Sequence, residues 1–396
     1  MSLPHIVLKP KRAQPFFGRH PWVYAGAIGA ISGEPADGSE VELRSSVGTF
    51  IARGLFNGQS KIRVRLYSWE ADRPLDRDFF RGKLEHAIRF RRDVLKLDDP
   101  SGACRLVFSE SDGLSGMIVD RYAGWLTVQF TSLALAQRRE MLTELLVEVL
   151  KPKGVYLRTE RGIGKLEGLE LQDGLIWGEE PAGPVEIEEN GLRFLVNLRE
   201  GQKTGYYLDQ RDNRQAVARF AGGRRVLDAF CYSGGFGLHA ARAGAAEVLG
   251  VDASEPALEL GRENLRLNGL ERVEFVRGDV FEELDRLQKS GRQFDLIVLD
   301  PPKFARARHA IPEALRGYRR LQTLAVKMLA RDGLMVMCCC SGLVTMDMLQ
   351  ELLVQISTDQ RREIQILERR GAAPDHPVSV SCLETGYLKC LITRVI

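Results

Sequence analysis

No run of about 18 apolar residues occurs anywhere in this 396-residue chain, which leaves no candidate for a membrane-crossing helix. The first thirty residues carry proline and charge where a secretory leader needs an unbroken apolar segment. Paired Cys-x-x-Cys spacing is missing too. The seven cysteines, Cys104, Cys231, Cys338, Cys339, Cys340, Cys382 and Cys390, are odd in number and do not read as a zinc site. Reduced thiols, no metal and a soluble cytoplasmic protein are therefore expected. No internal repeat or low-complexity segment is present, and a net charge of +3 gives no global nucleic-acid signature. The excess is local. Residues 1–75 hold ten Lys or Arg against six Asp or Glu, and a basic patch says more about nucleic acid than the whole-chain balance does.

At 44% hydrophobic content a chain of this length can bury two or three cores. From Pro4 to about Leu66, short apolar segments alternate with glycine-containing turns, which predicts a small β-barrel with one short helix. Lys61, Arg63 and Arg65 alternate with Ile62, Val64 and Leu66, so on a strand the three cations share one face. That face reads equally as solvated or as a phosphate-contacting ridge. The pattern changes near Ala71–Asp78, giving a first domain over 1–75. Residues 76–190 predict a central α+β domain: a helix in FFRGKLEHAIRFRRDVL, a hairpin in LVFSESDGLSGMIVDRYAGWLTVQF and a helix in SLALAQRREMLTELLVEVL. Residues 191–396 alternate strands and helices, the signature of an α/β domain with a parallel sheet. Its strands read as RRVLDAF, EVLGVD, VEFVRGD, FDLIVLD, GLMVMCC and LKCLITRVI.

In such a sheet ligands bind beyond the carboxyl ends of the strands, and four of these strands end in or beside an acid. Asp228 precedes FCYSGGFG, whose Gly234, Gly235 and Gly237 permit a tight turn and a close approach to a ligand. Asp252 follows 24 residues later, the separation at which a second-strand acid accepts from ribose hydroxyls. Asp279 is placed to accept from an adenine amino group, and Asp300 closes the fourth strand. GxGxxG spacing is missing, and an acid at the loop repels a pyrophosphate but suits the ammonium of a methionine moiety. S-adenosyl-L-methionine (SAM) fits better than a dinucleotide. Each acid taken singly is more often a cap than a ligand. Four together favour a pocket.

DPPKF at Asp300–Phe304 is a loop stiffened by two prolines. Loops of this kind with an aromatic in fourth position belong to enzymes that methylate exocyclic nitrogens. Here that position is Lys303, suited to phosphate or a base oxygen. Cys340 follows the fifth strand in CCCSGL. Carbon 5 of cytosine is a poor nucleophile, and attack by a thiolate at carbon 6 turns it into a good one. Cys340, at the strand exit, is the candidate; the other six cysteines read as core.

With HPWVYAGA at His20, ARGLFN at Ala52, ESDGLSG at Glu110, KTGYYLDQRDNR at Lys203, YSGGFG at Tyr232, DPPKF, CSGL at Cys340 and DHPV at Asp375, the chain resembles the bacterial ribosomal RNA large subunit methyltransferase I family over essentially its whole length. The resemblance implies an N-terminal PUA RNA-binding domain, a central α+β domain and a C-terminal Rossmann-like SAM methyltransferase domain. It implies 5-methylcytosine formation at position 1962 of 23S rRNA, on naked RNA or a large-subunit precursor, by an enzyme that is usually a homodimer. Cys340 and Asp300 are then catalytic. The cofactor-binding set is Asp228, Phe230, Tyr232, Ser233, Gly234, Gly235, Asp252, Asp279 and Asp300. The RNA-binding set is Lys61, Arg63, Arg65, Lys203, Tyr207, Gln210, Arg211, Arg214 and Lys303, with Arg211 and Arg214 expected on phosphate. The family commonly has serine where this chain has Cys339. His376 is a candidate for the base that removes the carbon 5 proton, but a histidine before Pro377 reads more readily as structural. Two rivals stand: a purine N-methyltransferase acting through DPPKF without a covalent adduct, and a non-catalytic RNA-binding assembly factor.

Overall fold

Apolar residues at alternate positions build the first sheet of the structure, a computed structural model that describes residues 3–160, 162–199, 201 and 204–396. Strands β1 (His5–Leu8), β2 (Trp22–Tyr24), β3 (Ile28–Ser32), β4 (Glu40–Arg44), β5 (Phe50–Phe56) and β6 (Ile62–Ser68) form one sheet in the order β2-β6-β5-β4-β1-β3. Ile6, Val23, Val41, Leu43 and Val64 make its core, together with Phe16 of the short helix α1 (Gln14–Phe17).

Helix α2 (Arg77–Arg89) starts where the Asp76 carboxylate accepts from the Phe79 amide at 2.9 Å, and it runs into a π-helical turn over Phe90–Val94. The expected hairpin is a meander of three strands, β7 (Ala103–Phe108), β8 (Met117–Tyr122) and β9 (Trp125–Phe130). The expected single helix over 132–150 is two, α3 (Leu133–Ala136) and α4 (Arg139–Leu150), because Arg138 lies outside helical dihedrals at φ −98°, ψ 9°. Strand β10 (Gly154–Leu157), helix α5 (Ile163–Glu167) and strand β11 (Gly174–Gly178) complete a sheet in the order β11-β10-β9-β8-β7. Leu55 and Tyr67 of the first sheet share a core with Phe80, Leu84, Leu106 and Val119. Contacts accordingly group residues 1–187, 196–208 and 374–385 into one unit, and the boundary expected near residue 76 runs inside it.

The second unit comprises 188–195, 209–373 and 386–396. The hairpin β12 (Val185–Glu189) and β13 (Leu192–Val196) turns at Asn190 and Gly191, with φ of 52° and 76°, the dihedrals a two-residue hairpin loop requires. Helix α6 (Arg211–Ala218) leads into strand β14 (Arg225–Ala229), helix α7 (Gly235–Arg242), strand β15 (Glu247–Asp252), helix α8 (Glu255–Leu267), strand β16 (Val273–Arg277), helix α9 (Val280–Lys289) and strand β17 (Phe294–Leu299). Helix α10 (Ile311–Met328), strand β18 (Leu329–Cys339), helix α11 (Met346–Gln360), strand β19 (Ile364–Arg370) and strand β20 (Lys389–Val395) follow. The sheet order is β16-β15-β14-β17-β18-β20-β19. It is not wholly parallel as expected: β20 runs antiparallel to both β18 and β19. Four of the five parallel strands, all but the edge strand β16, carry buried apolar runs because helices cover the sheet, with Leu227, Ile297 and Met335 in one core and Val226, Val298 and Val336 in the other.

Candidate active site

The carboxyl end of β14 is strained where a ligand pocket is expected. Phe230 and Tyr232 hold positive φ of 64° and 50°, and Gly234 follows at 83°. Bonds to the neighbouring strand keep them there: Phe230 N–H donates to Val251 O at 2.8 Å, and Tyr232 N–H donates to the Asp252 carboxylate at 2.9 Å. Gly234 makes the tight turn expected of it, and two of the glycines carry a second constraint. A Cβ on Gly234 lies 2.8 Å from the Phe275 ring and one on Gly235 lies 2.6 Å from Arg214 Nε, so these positions are small to admit protein side chains.

Asp228 is completely buried. Its Oδ2 accepts from Gly237 N–H at 2.8 Å, while Oδ1 and the buried Ser233 hydroxyl have no hydrogen-bond partner among the described residues. Burial pushes the Asp228 carboxyl up to about 7; the Gly237 bond and Arg214 oppose this, and the Asp300 and Asp252 carboxylates add to it. A buried acid with one oxygen unsatisfied, in the same loop region as an unpartnered hydroxyl, is costly in isolation and is suited to a cationic amine with N–H donors. The chain thus fits the methionine end of SAM. Asp252 sits at the end of β15, where Oδ1 accepts from Ser254 N–H at 2.9 Å. Asp279 caps α9, its Oδ1 accepting from Phe281 and Glu282 amides at 2.9 and 3.1 Å. Both acids hold their loops as caps, and each keeps a place at the carboxyl end of its strand.

Cys340 is the first residue beyond β18. Strand alternation sorts the three adjacent thiols: Cys338 faces the core containing Cys390, and Cys339 faces the opposite core, 3.2 Å from the Tyr318 hydroxyl. Cys340 alone among the seven is half-exposed, with its Sγ 3.9 Å from Pro301 O of the DPPKF loop. Ser341 Oγ donates to Ala305 O at 2.8 Å and ties that loop to the strand exit. The other thiols are inert. Burial beside Asp228 and Asp252 raises Cys231 far above its usual range, and burial near Glu110 and Glu384 pushes Cys382 up to about 12.

Asp300 accepts from Gln210 Nε2 at 3.1 Å, Gln210 Oε1 accepts from Asn213 at 2.6 Å, and Asn213 Oδ1 accepts from Arg370 at 2.9 Å. Gln210, expected on RNA, is 2% exposed and instead orients Asp300. Arg211 and Arg214, also expected on phosphate, are buried; Arg214 donates to both oxygens of the buried Glu189 at 2.8 and 3.0 Å, and Arg211 pairs with Asp212 at 3.3 Å. Buried guanidinium groups already paired have no reach to a backbone in solution.

The cationic ridge on β6 is also broken. Lys61 is exposed and Arg63 half-buried, but Arg65 is 7% exposed and pairs with Glu110 and Glu167 at 3.3 and 3.1 Å. Trp22 Nε1 donates to the same Glu110 carboxylate at 3.0 Å, so HPWVYAGA and ESDGLSG meet as structure. DHPV is structural as well. Asp375 accepts from Arg105 N–H at 2.9 Å, and His376 is buried in the first unit against Asp375 and Phe108, as its structural reading held. Tyr207 is half-buried in the first unit, and Lys203 lies outside the described residues. His20, Cys382 and Glu384 cluster like metal ligands, but His20 Nδ1 accepts from Trp22 N–H at 3.2 Å, which leaves the ring proton on Nε2, the atom facing Glu384. In that cluster the Cys382 thiol donates to the Glu384 carboxylate at 3.6 Å, and His20 Nε2 lies 3.7 Å from the same group.

Sequence reasoning missed two features. Phe230, Phe281, Phe304 and Tyr318 form a run of ring contacts from the glycine loop through DPPKF to β18, with centroids 6.4, 6.2 and 4.8 Å apart. Lys389 is buried at the start of β20 beside the Cys340 exit.

Comparison with known proteins agrees with this geometry. The family model for S-adenosylmethionine-dependent methyltransferases matches residues 174–393, and a PUA-like domain model matches 6–69. The chain is 41% identical over 392 residues to the ribosomal RNA large subunit methyltransferase I of Aeromonas hydrophila, covering 98% of each, and 39% identical over 393 residues to that of Erwinia tasmaniensis, covering 99% of each. Among solved structures, one described as a methyltransferase complexed with SAH superposes with a TM-score of 0.86 at 21% identity over 99% of this chain and all of that one. A Streptococcus mutans protein described as a SAM-dependent methyltransferase gives 0.84 at 20% identity over the same shares. Its cofactor is SAM, and the chain belongs to the ribosomal RNA large subunit methyltransferase I family.

Proposed function

We propose that this protein methylates carbon 5 of a cytosine in large-subunit ribosomal RNA through a covalent adduct on Cys340. The observation that carries the reading is the single half-exposed thiol at the carboxyl end of β18, beside DPPKF and in the same sheet as the buried acid of the glycine loop. SAM supplies an electrophilic methyl group when bound. Asp228 and Ser233 would hold its methionine end, and Asp252 and Asp279, at the carboxyl ends of their strands, would take the ribose and the adenine.

The target cytosine enters unpaired, because attack on carbon 6 needs the ring face. Cys340 thiolate adds to carbon 6, and electron density moves to carbon 5, which takes the methyl group. Asp300, oriented by Gln210, hydrogen-bonds the ring edge and favours the adduct. Loss of the carbon 5 proton to a base then expels the thiolate and restores the aromatic ring. The RNA backbone is received by the loop that leaves DPPKF. Lys303, Arg306, Arg308 and His309 are all exposed there, and none pairs with an acid among the described residues. Lys61 adds a cation on the first unit.

The test is transfer of labelled methyl from SAM to 23S rRNA from cells lacking the gene, with the product base mapped. 5-Methylcytosine made by the wild type and lost in Cys340→Ala is expected. A methylated purine, or an active alanine variant, overturns the covalent cytosine reading in favour of nitrogen methylation. RNA binding without any transfer leaves an assembly factor.

A further inference from the structure

Lys389 is a buried charge that the mechanism above does not use. It opens β20, is 8% exposed, and pairs across the ladder with Cys339. Lysine is among the costliest residues to bury without a counter-charge, yet among the described residues no carboxylate lies within ion-pair distance of it. Its Nζ donates instead to two carbonyls, Ser341 O at 2.6 Å and Tyr387 O at 3.0 Å. Ser341 is the residue after Cys340, so the ammonium is tethered to the backbone of the nucleophile's own turn.

The titratable groups that face it come from three elements. Cys339 at the end of β18 is its ladder partner, Cys340 precedes the residue whose carbonyl it holds, and the charge of Lys303 in the DPPKF loop also acts on it. Behind them, Tyr318 of α10 contacts Cys339 and feels both Cys340 and Asp300. Tyr387, on its own segment, donates its hydroxyl to Asp209. Burial lowers the lysine from its ordinary range, the two thiols raise it, and Lys303 lowers it. A thiolate is thus the counter-ion this lysine lacks, and of the two thiols beside it only Cys340 is open to substrate.

We propose that Lys389 is a positioning residue for the nucleophile: its tethered ammonium stabilises Cys340 as the thiolate. The Cys340 thiol gives its proton to solvent, the sulfur keeps the electron pair, and the lysine nitrogen exchanges no bond. When the thiolate leaves carbon 6 at the end of the cycle, it returns to the same cation. The inference rests on reading Cys340 as the nucleophile, but its test needs neither RNA nor cofactor.

The test is the rate of iodoacetamide alkylation of Cys340 against pH in the full-length protein, with Cys340→Ser as the blank that assigns the label. Lys389→Gln keeps a donor for Ser341 O and removes the charge; Lys389→Arg keeps the charge. The glutamine variant is expected to move the alkylation midpoint up by about one pH unit, a tenfold loss of thiolate near neutrality. The arginine variant is expected to stay closer to wild type than to the glutamine variant, with thermal melting and SAH binding as checks on folding. A glutamine midpoint equal to wild type overturns the proposal, because a carbonyl cap would then be the whole role. If the glutamine variant does not fold, an arginine midpoint displaced by a full unit overturns it and an unmoved one supports it. Wild-type protein that fails to methylate RNA counts against the proposed function alone.

Discussion

Asp228 meets its ligand with a proton to lose. An acid whose folded value lies near 7, against an ordinary 3.8, binds its proton more tightly in the native state. The stability this contributes is full below about 3.8 and is lost as pH rises through 7. Binding a cationic amine needs the charged form, so SAH affinity should fall about tenfold per pH unit below 7. Above about 8 the ligand's own amine deprotonates, which gives a bell-shaped profile. Calorimetric titration of SAH from pH 5.5 to 8.5 checks this, and Asp228→Asn should flatten the acid limb; an acid limb unchanged in that variant would falsify the assignment. Arg214 makes the opposite kind of prediction. Its partner Glu189 is equally buried, so Arg214→Ala strands a carboxylate and should cost about 3–5 kcal/mol in denaturant unfolding. A phosphate contact would instead raise KM for RNA and leave stability alone. The arginines in KTGYYLDQRDNR were legible as important and illegible in role, since the buried partner of Arg214, Glu189, comes from a distant hairpin. Cys340 was legible as the candidate nucleophile because it stands at the exit of an apolar strand, just before Ser341 and Gly342. Lys389 was not, because nothing local distinguishes it from a lysine on a solvated strand.

At the scale of elements, the parallel strands and their helices could be read from apolar runs alternating with amphipathic segments. Strand β19 could not. Its sequence IQILERR alternates half-buried and exposed residues on the sheet edge, and its charges resemble a loop until the ladder to β20 is seen. The loop from DPPKF to α10 gathers the free cations that sequence reasoning had assigned to Arg65, Arg211 and Arg214. Neutralising Arg306 and Arg308 together to glutamine should raise KM for RNA and lower the slope of log affinity against log salt by about 1.4, for two contacts on single-stranded RNA. SAH binding should not change. Filter binding at several salt concentrations measures the slope, and an unaltered slope removes this loop from the RNA path.

For the whole molecule, the two units differ in what binding should do to them. The residues fitted to SAM all lie in the second unit. At a hundredfold excess over Kd, SAH should stabilise the native state by about 2.7 kcal/mol. Hydrogen exchange should show this protection at 228–237, 252 and 279 and leave β1–β6 as before. Protection confined to the first unit would place the cofactor elsewhere. The motifs of the first unit, HPWVYAGA, ESDGLSG and DHPV, turn out to bind one another: Trp22, Arg65 and Glu110 in one cluster, Arg91, Arg105 and Asp375 in another.

The β18–β20 ladder ends at the pair Cys339 and Lys389. One further rung would draw the next residue into the sheet, and that residue is Cys340. Whether this sulfur is exposed therefore depends on where pairing between two strands stops. Lengthening the sheet by one residue would carry Cys340 into a ladder whose last two thiols are buried.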